Sequence, residues 1–201
     1  MRRVLVRLAL LGGCLPSAVC AEPLASQVRP LDTRSDGVYG RLDGDIMLSA
    51  TALAELSDGG VAPGVRLAAH YFWMVGLTAG YVRPVADDVP RHVLSAGLDL
   101  RPAFLPRWAM DLERGPSTLD LWLDSISFGI AANWAQPPDE DFGDVLALEL
   151  SAGFGLPLMG HAEGLWLDAR GLMRTPDSGT SGWGAQLGLG WHAAWLSPLL
   201  E

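Results

Sequence analysis

In RLDGDIMLSATALAE, residues Arg41 to Glu55, two kinds of side chain take turns. Leu42, Gly44, Ile46, Leu48, Ala50, Ala52 and Ala54 form one set, and Arg41, Asp43, Asp45, Met47, Ser49 and Thr51 form the other. A helix would mix the sets, because its 3.6-residue period places residues three and four apart on one face. A strand separates them, so the stretch predicts a strand with one apolar and one polar face.

The same alternation recurs on both sides, with turn residues between the runs. Upstream lies a polar leader from Glu22 to about Asp36. Downstream, Val65 to Tyr71, Val75 to Tyr81, Leu94 to Arg101, Leu146 to Phe154, Leu165 to Arg170 and Trp183 to Trp195 each keep period two. Between Thr118 and Trp134 the phase changes: Leu119, Leu121 and Leu123 give way to Ile126, Phe128, Ile130, Ala132 and Trp134. A one-residue bulge near Asp124 accounts for this. A short helix over Ser117 to Asp124, with Leu119, Trp122, Leu123 and Ile126 on one side, is the competing reading. Either way the count is eight strands in an all-β chain.

Eight antiparallel strands joined by short links leave two raw edges unless the sheet closes. The expectation is an eight-stranded antiparallel up-and-down barrel, and its remaining question is which face looks inward. Three features predict that the polar face does, as in a membrane barrel. The polar sets carry both signs of charge, Arg41, Asp43, Asp45, Asp99, Arg101, Glu149, Asp168 and Arg170, which are able to neutralise one another. They are also rich in Gly and Ala, which suits a crowded lumen. Aromatic residues collect near strand ends on the apolar face, as at membrane interfaces. Trp183 and Trp195 stand twelve residues apart on that face, which for a tilted strand spans roughly 30 Å, the depth of a bilayer core. The runs Val65–Tyr71 and Val75–Tyr81 are shorter than a crossing strand needs.

The first residues, MRRVLVRLALLGGCLPSAVCAEP, follow signal-peptide grammar: Arg2 and Arg3, an apolar stretch from Val4 to Leu11, then small residues before Glu22. Val19 and Ala21 suit a cut after Ala21. The divisions expected are therefore a signal peptide over 1–21, a loose leader over 22–36, the barrel over 37–196 and a tail over 197–201. Leu11, Gly12 and Gly13 before Cys14 offer the alternative of a lipidated cysteine. Cleavage after Ala21 removes both cysteines, leaving no disulfide or thiol chemistry. It leaves 180 residues carrying eleven arginines against twenty-three acids, a net charge of −12. The sequence contains no lysine. Such a balance disfavours a nucleic-acid partner, because phosphate binding needs clustered positive charge.

The signal peptide, eight alternating segments, cysteine-free mature chain and aromatic-bearing last strand resemble the small outer-membrane β-barrel proteins of Gram-negative bacteria, over Tyr39 to Trp195. The resemblance implies a location in the outer membrane, contact with membrane lipid and lipopolysaccharide, and delivery by the barrel-assembly machinery. Gln186, Gly188 and Trp191 fit the internal part of the family's assembly signal. The usual terminal aromatic is missing, since the chain runs on from Leu196 to Glu201. The segment RPAFLPRWAMDLERGP, Arg101 to Pro116, also resembles a stretch in uncharacterised exported proteins of myxobacteria, which implies no activity.

With both termini periplasmic, the outward loops are Ser57 to Pro63, Pro84 to Arg91, Pro137 to Asp144 and Thr175 to Ser181. They hold Asp58, Asp87, Asp88, Asp139, Glu140, Asp141, Asp144 and Asp177 against Arg91 alone, so the outer rim reads as acidic. The long link Pro102 to Ser117 falls on the periplasmic side, where Trp108, Ala109 and Leu112 suit a turn of helix across the barrel mouth. Arg41, Asp43, Asp45, His70, Asp99, Arg101, Asp120 and Asp124 are expected in the periplasmic half of a plugged or narrow lumen.

No chemistry stands out. The run Asp139, Glu140, Asp141 and Asp144 offers oxygen ligands but not the spacing of a calcium loop. His70, His92, His161 and His192 lack metal-motif spacing. Ser95, Asp99 and nearby His92 prompt the thought of a lipid-modifying hydrolase, with a geometry left undetermined. The reading is a structural or surface-interaction barrel, with no catalytic, cofactor or metal residues assigned. A soluble periplasmic barrel enclosing an apolar ligand, and an outer-membrane lipid-modifying enzyme, are the alternatives.

Overall fold

A computed structural model describes residues 39–58, 60–85, 92–113, 115–136, 145–175 and 182–196. The expected signal peptide, the lipidation alternative at Cys14, the whole of the leader and the C-terminal tail lie outside the described residues.

Eight strands follow in order: β1 (Ile46–Ser57), β2 (Gly60–Tyr71), β3 (Val75–Val82), β4 (His92–Leu100), β5 (Ser127–Gln136), β6 (Val145–Pro157), β7 (Gly164–Arg174) and β8 (Trp183–Trp195). Each pairs antiparallel with the next, and β8 pairs with β1 to close an up-and-down barrel. Two helices, α1 (Phe104–Ala109) and α2 (Ser117–Asp124), interrupt the series between β4 and β5. No described helix is long and apolar enough to cross a membrane.

The register fixes the shape. Stepping across the pairs from Met47 leads through His70, Gly76, Asp99, Gly129, Ser151, Leu172 and Gly184, and returns to β1 at Ser57, ten residues beyond the start. That stagger over eight strands sets a tilt of about 40°, given strand spacings of about 4.8 Å and rises of about 3.3 Å per residue.

The alternation resolves as expected: the apolar sets face out and the polar sets face in. Leu77 is 68% exposed, Leu146 62% and Leu189 52%, whereas Asp99 is fully buried and His70 is 1% exposed. Greasy residues outside and ionic residues inside overturn the alternative of a barrel holding an apolar ligand, which needs the reverse.

Four local expectations change. The phase slip near Asp124 is the helix, not the bulge: α2 turns Asp120, Leu121 and Asp124 inward, and β5 then restarts at Ser127 in the other phase. β1 begins at Ile46 rather than Arg41, and Asp43 is exposed instead of lumenal. β2 reaches back to Gly60, so the expected loop Ser57 to Pro63 contracts to a two-residue hairpin closed by the pair Ser57 and Gly60. Twelve residues long, β2 meets the length that a crossing strand needs. Finally, α1 does lie across the mouth, but Phe104 is the residue buried beneath it, while Trp108 and Leu112 are exposed.

Candidate functional site

The lumen is where this chain concentrates its polar chemistry, and its inward side chains lie in layers. At the end where the chain enters and leaves the barrel, Arg101, Trp73, Met47 and Trp166 meet the helical link. The β2–β3 turn holds Phe72 and Trp73 at φ of 45° and 61°, a left-handed conformation that aromatic residues rarely adopt. It throws Trp73 into the barrel and leaves Phe72 outside against Tyr71, ring centres 4.5 Å apart. Trp73 lies 5.5 Å from Trp166, which stacks on His192 at 4.7 Å, and Phe104 and Leu121 complete this apolar cluster from the helices. Gly155 makes the room: a Cβ there would sit 2.8 Å from the Trp166 ring.

Over this cluster the helices lay a second set of ions. Arg41 pairs with Asp124 and, at 2.6 Å, with Glu113, while its guanidinium lies 4.4 Å from the centre of the Phe104 ring. Arg107 reaches Asp120 at 2.6 Å and Asp124 at 2.7 Å. Tyr39 donates its hydroxyl to Asp120. Burial, followed by a hydrogen bond with Asp124 and the nearness of that second carboxylate, pushes Glu113 up to about 8 despite the opposing pull of Arg41. At neutral pH Glu113 is therefore mostly protonated.

Deeper in, the strands supply the middle layer. Asp99 accepts from Arg170 at 2.7 Å, pairs with His70 Nε2 at 2.9 Å and faces Arg101 at 3.9 Å. Arg101 stacks over Trp73, 4.5 Å from the ring centre. Asp168 accepts from Thr51 at 2.8 Å and lies 3.6 Å from Arg66. Gly129 is again a space-maker, since a Cβ there would stand 2.9 Å from the Arg170 guanidinium. A third layer follows toward the loops. Arg174 donates twice to Glu55, at 2.6 and 2.9 Å, and once to Glu149 at 2.8 Å. Gln186 donates to Glu55 Oε2 at 2.9 Å and Asn133 to Glu149 Oε2 at 3.2 Å, both oxygens that Arg174 also reaches, and Arg66 donates to Gln186 at 3.1 Å. Beyond Arg174 the side chains of Leu53, Ala62, Val82, Val93 and Ala135 form an apolar collar.

Four arginines of the strand layers, counting Arg101 at the end of β4, thus face four carboxylates: Arg66, Arg101, Arg170 and Arg174 against Glu55, Asp99, Glu149 and Asp168. Among the described residues, two chambers that lie between the layers hold about 20 Å³ each, the size of roughly one water molecule.

Arg41, Asp45, His70, Asp99, Arg101, Asp120 and Asp124 are all buried at the expected end. The hydrolase geometry left open by the sequence is settled by the start of β4: His92 is its first residue and shares the outer face with Leu94, where it contacts the Tyr81 hydroxyl at 2.7 Å. Ser95 points inward over Gly80, and Asp99 is committed to His70 and Arg170. The structure does not bring the three together. His161 sits in the β6–β7 turn, 3.9 Å from Asp43. Among the described residues, no group of three His, Cys, Asp or Glu is placed to hold a metal. The acidic run Asp139 to Asp144, and the rim residues Asp87, Asp88, Arg91 and Asp177, lie outside the described residues. Sequence reasoning set Arg66 on the polar face but did not count Glu55 or Arg174 among the lumenal ions; both stand at the polar parity of their strands, which was the available signal.

No protein-family profile matches the sequence, and no curated protein is significantly similar to it. The fold has counterparts among solved structures. The N-terminal β-barrel domain of Pseudomonas aeruginosa OprF aligns with 75% of this chain and 98% of its own, at 13% identity and a TM-score of 0.47. Neisserial surface protein A aligns at 12% identity, covering 75% of this chain and 96% of its own, with a TM-score of 0.41. A designed transmembrane β-barrel aligns at 9% identity over 73% of this chain and 95% of its own, with a TM-score of 0.39. None of these supports the myxobacterial resemblance of Arg101 to Pro116. The class that the fold defines is the closed eight-stranded antiparallel barrel.

Proposed function

We propose that this chain is an outer-membrane β-barrel whose closed lumen makes it a structural or surface-interaction protein rather than a pore. One observation carries the reading: the wall presents leucines, valines and aromatics outward around its circumference while its arginines and carboxylates are buried within. In water that arrangement exposes far more contiguous apolar surface than a soluble monomer tolerates. In a bilayer it is the favourable one. The apolar span from Trp183 to Trp195 on β8 is roughly 30 Å deep at the observed tilt, which matches the hydrocarbon core.

The closed lumen rests on the three ion-paired layers and the two water-sized chambers between them. An eight-stranded wall leaves room for side chains and little else. With the interior occupied, the surfaces left for interaction are the loops at the end away from the chain termini, where Asp58 is exposed and where the acidic segments read from the sequence are expected.

The test is fractionation of the producing cell followed by protease treatment of intact cells. The expected result is recovery in the outer-membrane fraction only, solubility that requires detergent, and cleavage in the loop around Asp141. Recovery in the soluble periplasmic fraction would end this reading. Planar-bilayer recordings test the closed lumen: the purified protein is expected to give no stable ionic conductance.

A further inference from the structure

The helical link is inside out in the same sense as the wall. In α1 and the residues after it, Phe104 and Arg107 turn toward the barrel, and Arg107 spends its charge on Asp120 and Asp124. Leu105, Trp108, Met110 and Leu112 are left exposed, with Met110 at 62%. The next helix repeats the pattern. Asp120 and Asp124 of α2 are buried, Leu119 is exposed, and Trp122 packs edge-on against Phe154, ring centres 6.1 Å apart. Phe154 belongs to the outward face of β6, so α2 sits at the barrel's edge and its apolar side runs directly into the apolar band of the wall. The neighbouring β6–β7 turn adds Leu158 and Met159, both exposed. An ordinary cap over a water-filled mouth would put these residues underneath and the ions on top.

We propose that this cap is a membrane anchor: the exposed side of 105–112, the outer edge of α2 and the β6–β7 turn settle into the headgroup layer of the leaflet next to the chain termini. The occupant is phospholipid, because the patch is continuous through Trp122 and Phe154 with the surface proposed to face lipid. Trp and Met flanked by Leu have the amphipathic, polarisable character that interfacial segments use. The inference rests on the membrane placement proposed above and adds where the long link goes.

Single cysteines test it, introduced into the chain from Glu22 onward, which carries no cysteine of its own. Leu189→Cys, midway along β8, reports on the wall. Leu112→Cys and Met159→Cys report on two separate parts of the cap. Each is labelled with an environment-sensitive fluorophore after folding into phosphatidylcholine and phosphatidylglycerol vesicles, with heat-modifiable gel mobility verifying the fold. The expected result is quenching of both cap labels by lipids carrying a nitroxide near the headgroup, and at least threefold protection from aqueous iodide relative to the free fluorophore in buffer. The Leu189→Cys label should respond to nitroxides deep in the chain. Cap labels open to iodide while the wall label sees deep lipid would overturn the anchor and leave the membrane placement standing. All labels open to iodide would overturn both. Cap labels hidden from iodide yet blind to nitroxide lipid would overturn the anchor in favour of contact between two copies of the chain.

Discussion

Arg174 is the residue whose loss is expected to cost most. It holds Glu55 in a two-pronged pair and Glu149 by a third bond, in a place with little water to take over. Removing one partner of a buried ion pair typically costs about 3–5 kcal/mol, because the charge left behind has no solvation. Arg174→Met should lower barrel stability by that order in urea titrations of micelle-folded protein. Adding Glu55→Gln and Glu149→Gln to the same chain should recover most of the loss. Arg101→Ala removes both the stacking over Trp73 and the charge beside Asp99, so it too should lower the melting temperature; unchanged melting would count against the layered network. Glu113 gives a pH dependence of known sign. Its folded-state affinity for the proton is raised to about 8 from the ordinary glutamate range near 4.3, so the folded barrel binds more protons than the unfolded chain between those values. Stability should therefore fall as pH rises from about 4.5 to 8. Glu113→Gln, which imitates the protonated acid, should flatten that slope when unfolding is followed at several pH values.

At the scale of strands and helices, period two made the wall legible, since a half-polar strand cannot be written any other way. Its reach was harder to see. Gly60-Val61-Ala62-Pro63-Gly64 has the composition of a turn, yet it forms the first five of the twelve residues of β2. Pro63 is tolerated because the β3 ladder ends at the pair Gly64 and Val82, so the side of the strand where its N–H is missing has run out of partners; only its carbonyl is used there, by Arg83. The helix α2 was legible only as one of two options, because a bulge and a helical turn explain the same shift of phase. Tertiary contacts decided between them: Asp120 and Asp124 satisfy Arg107, and Leu121 fills the space under the barrel mouth. Lumenal partners such as Arg174 with Glu55 join residues 119 apart, and no spacing rule links such positions. The wall itself yields a graded prediction. Leu189→Arg, midway along β8, should destabilise the barrel in lipid vesicles by about 2–4 kcal/mol, whereas Leu196→Arg, beyond the strand's end, should cost about 0–1 kcal/mol. Equal costs at the two sites would contradict a bilayer centred on β8.

At the scale of the whole molecule, the eight-strand count and the ten-residue stagger leave an interior that side chains can fill. The contents are a stack of paired charges, with the helices packed at one end and an apolar cluster from β1 to β5 toward the other. Several of those pairs span the seam where the chain's beginning meets its end: Glu55 on β1 is held by Arg174 on β7 and Gln186 on β8, and Thr51 on β1 serves Asp168 on β7. Before β8 docks, these groups face one another across a gap. In the bilayer proposed for this barrel an open sheet would have to carry uncompensated ions into a greasy solvent, which would penalise partially assembled intermediates and couple insertion to zipping the last strand onto the first. A chain truncated before Trp183 should for this reason fail as a unit, staying at the membrane surface and sensitive to protease along its full length.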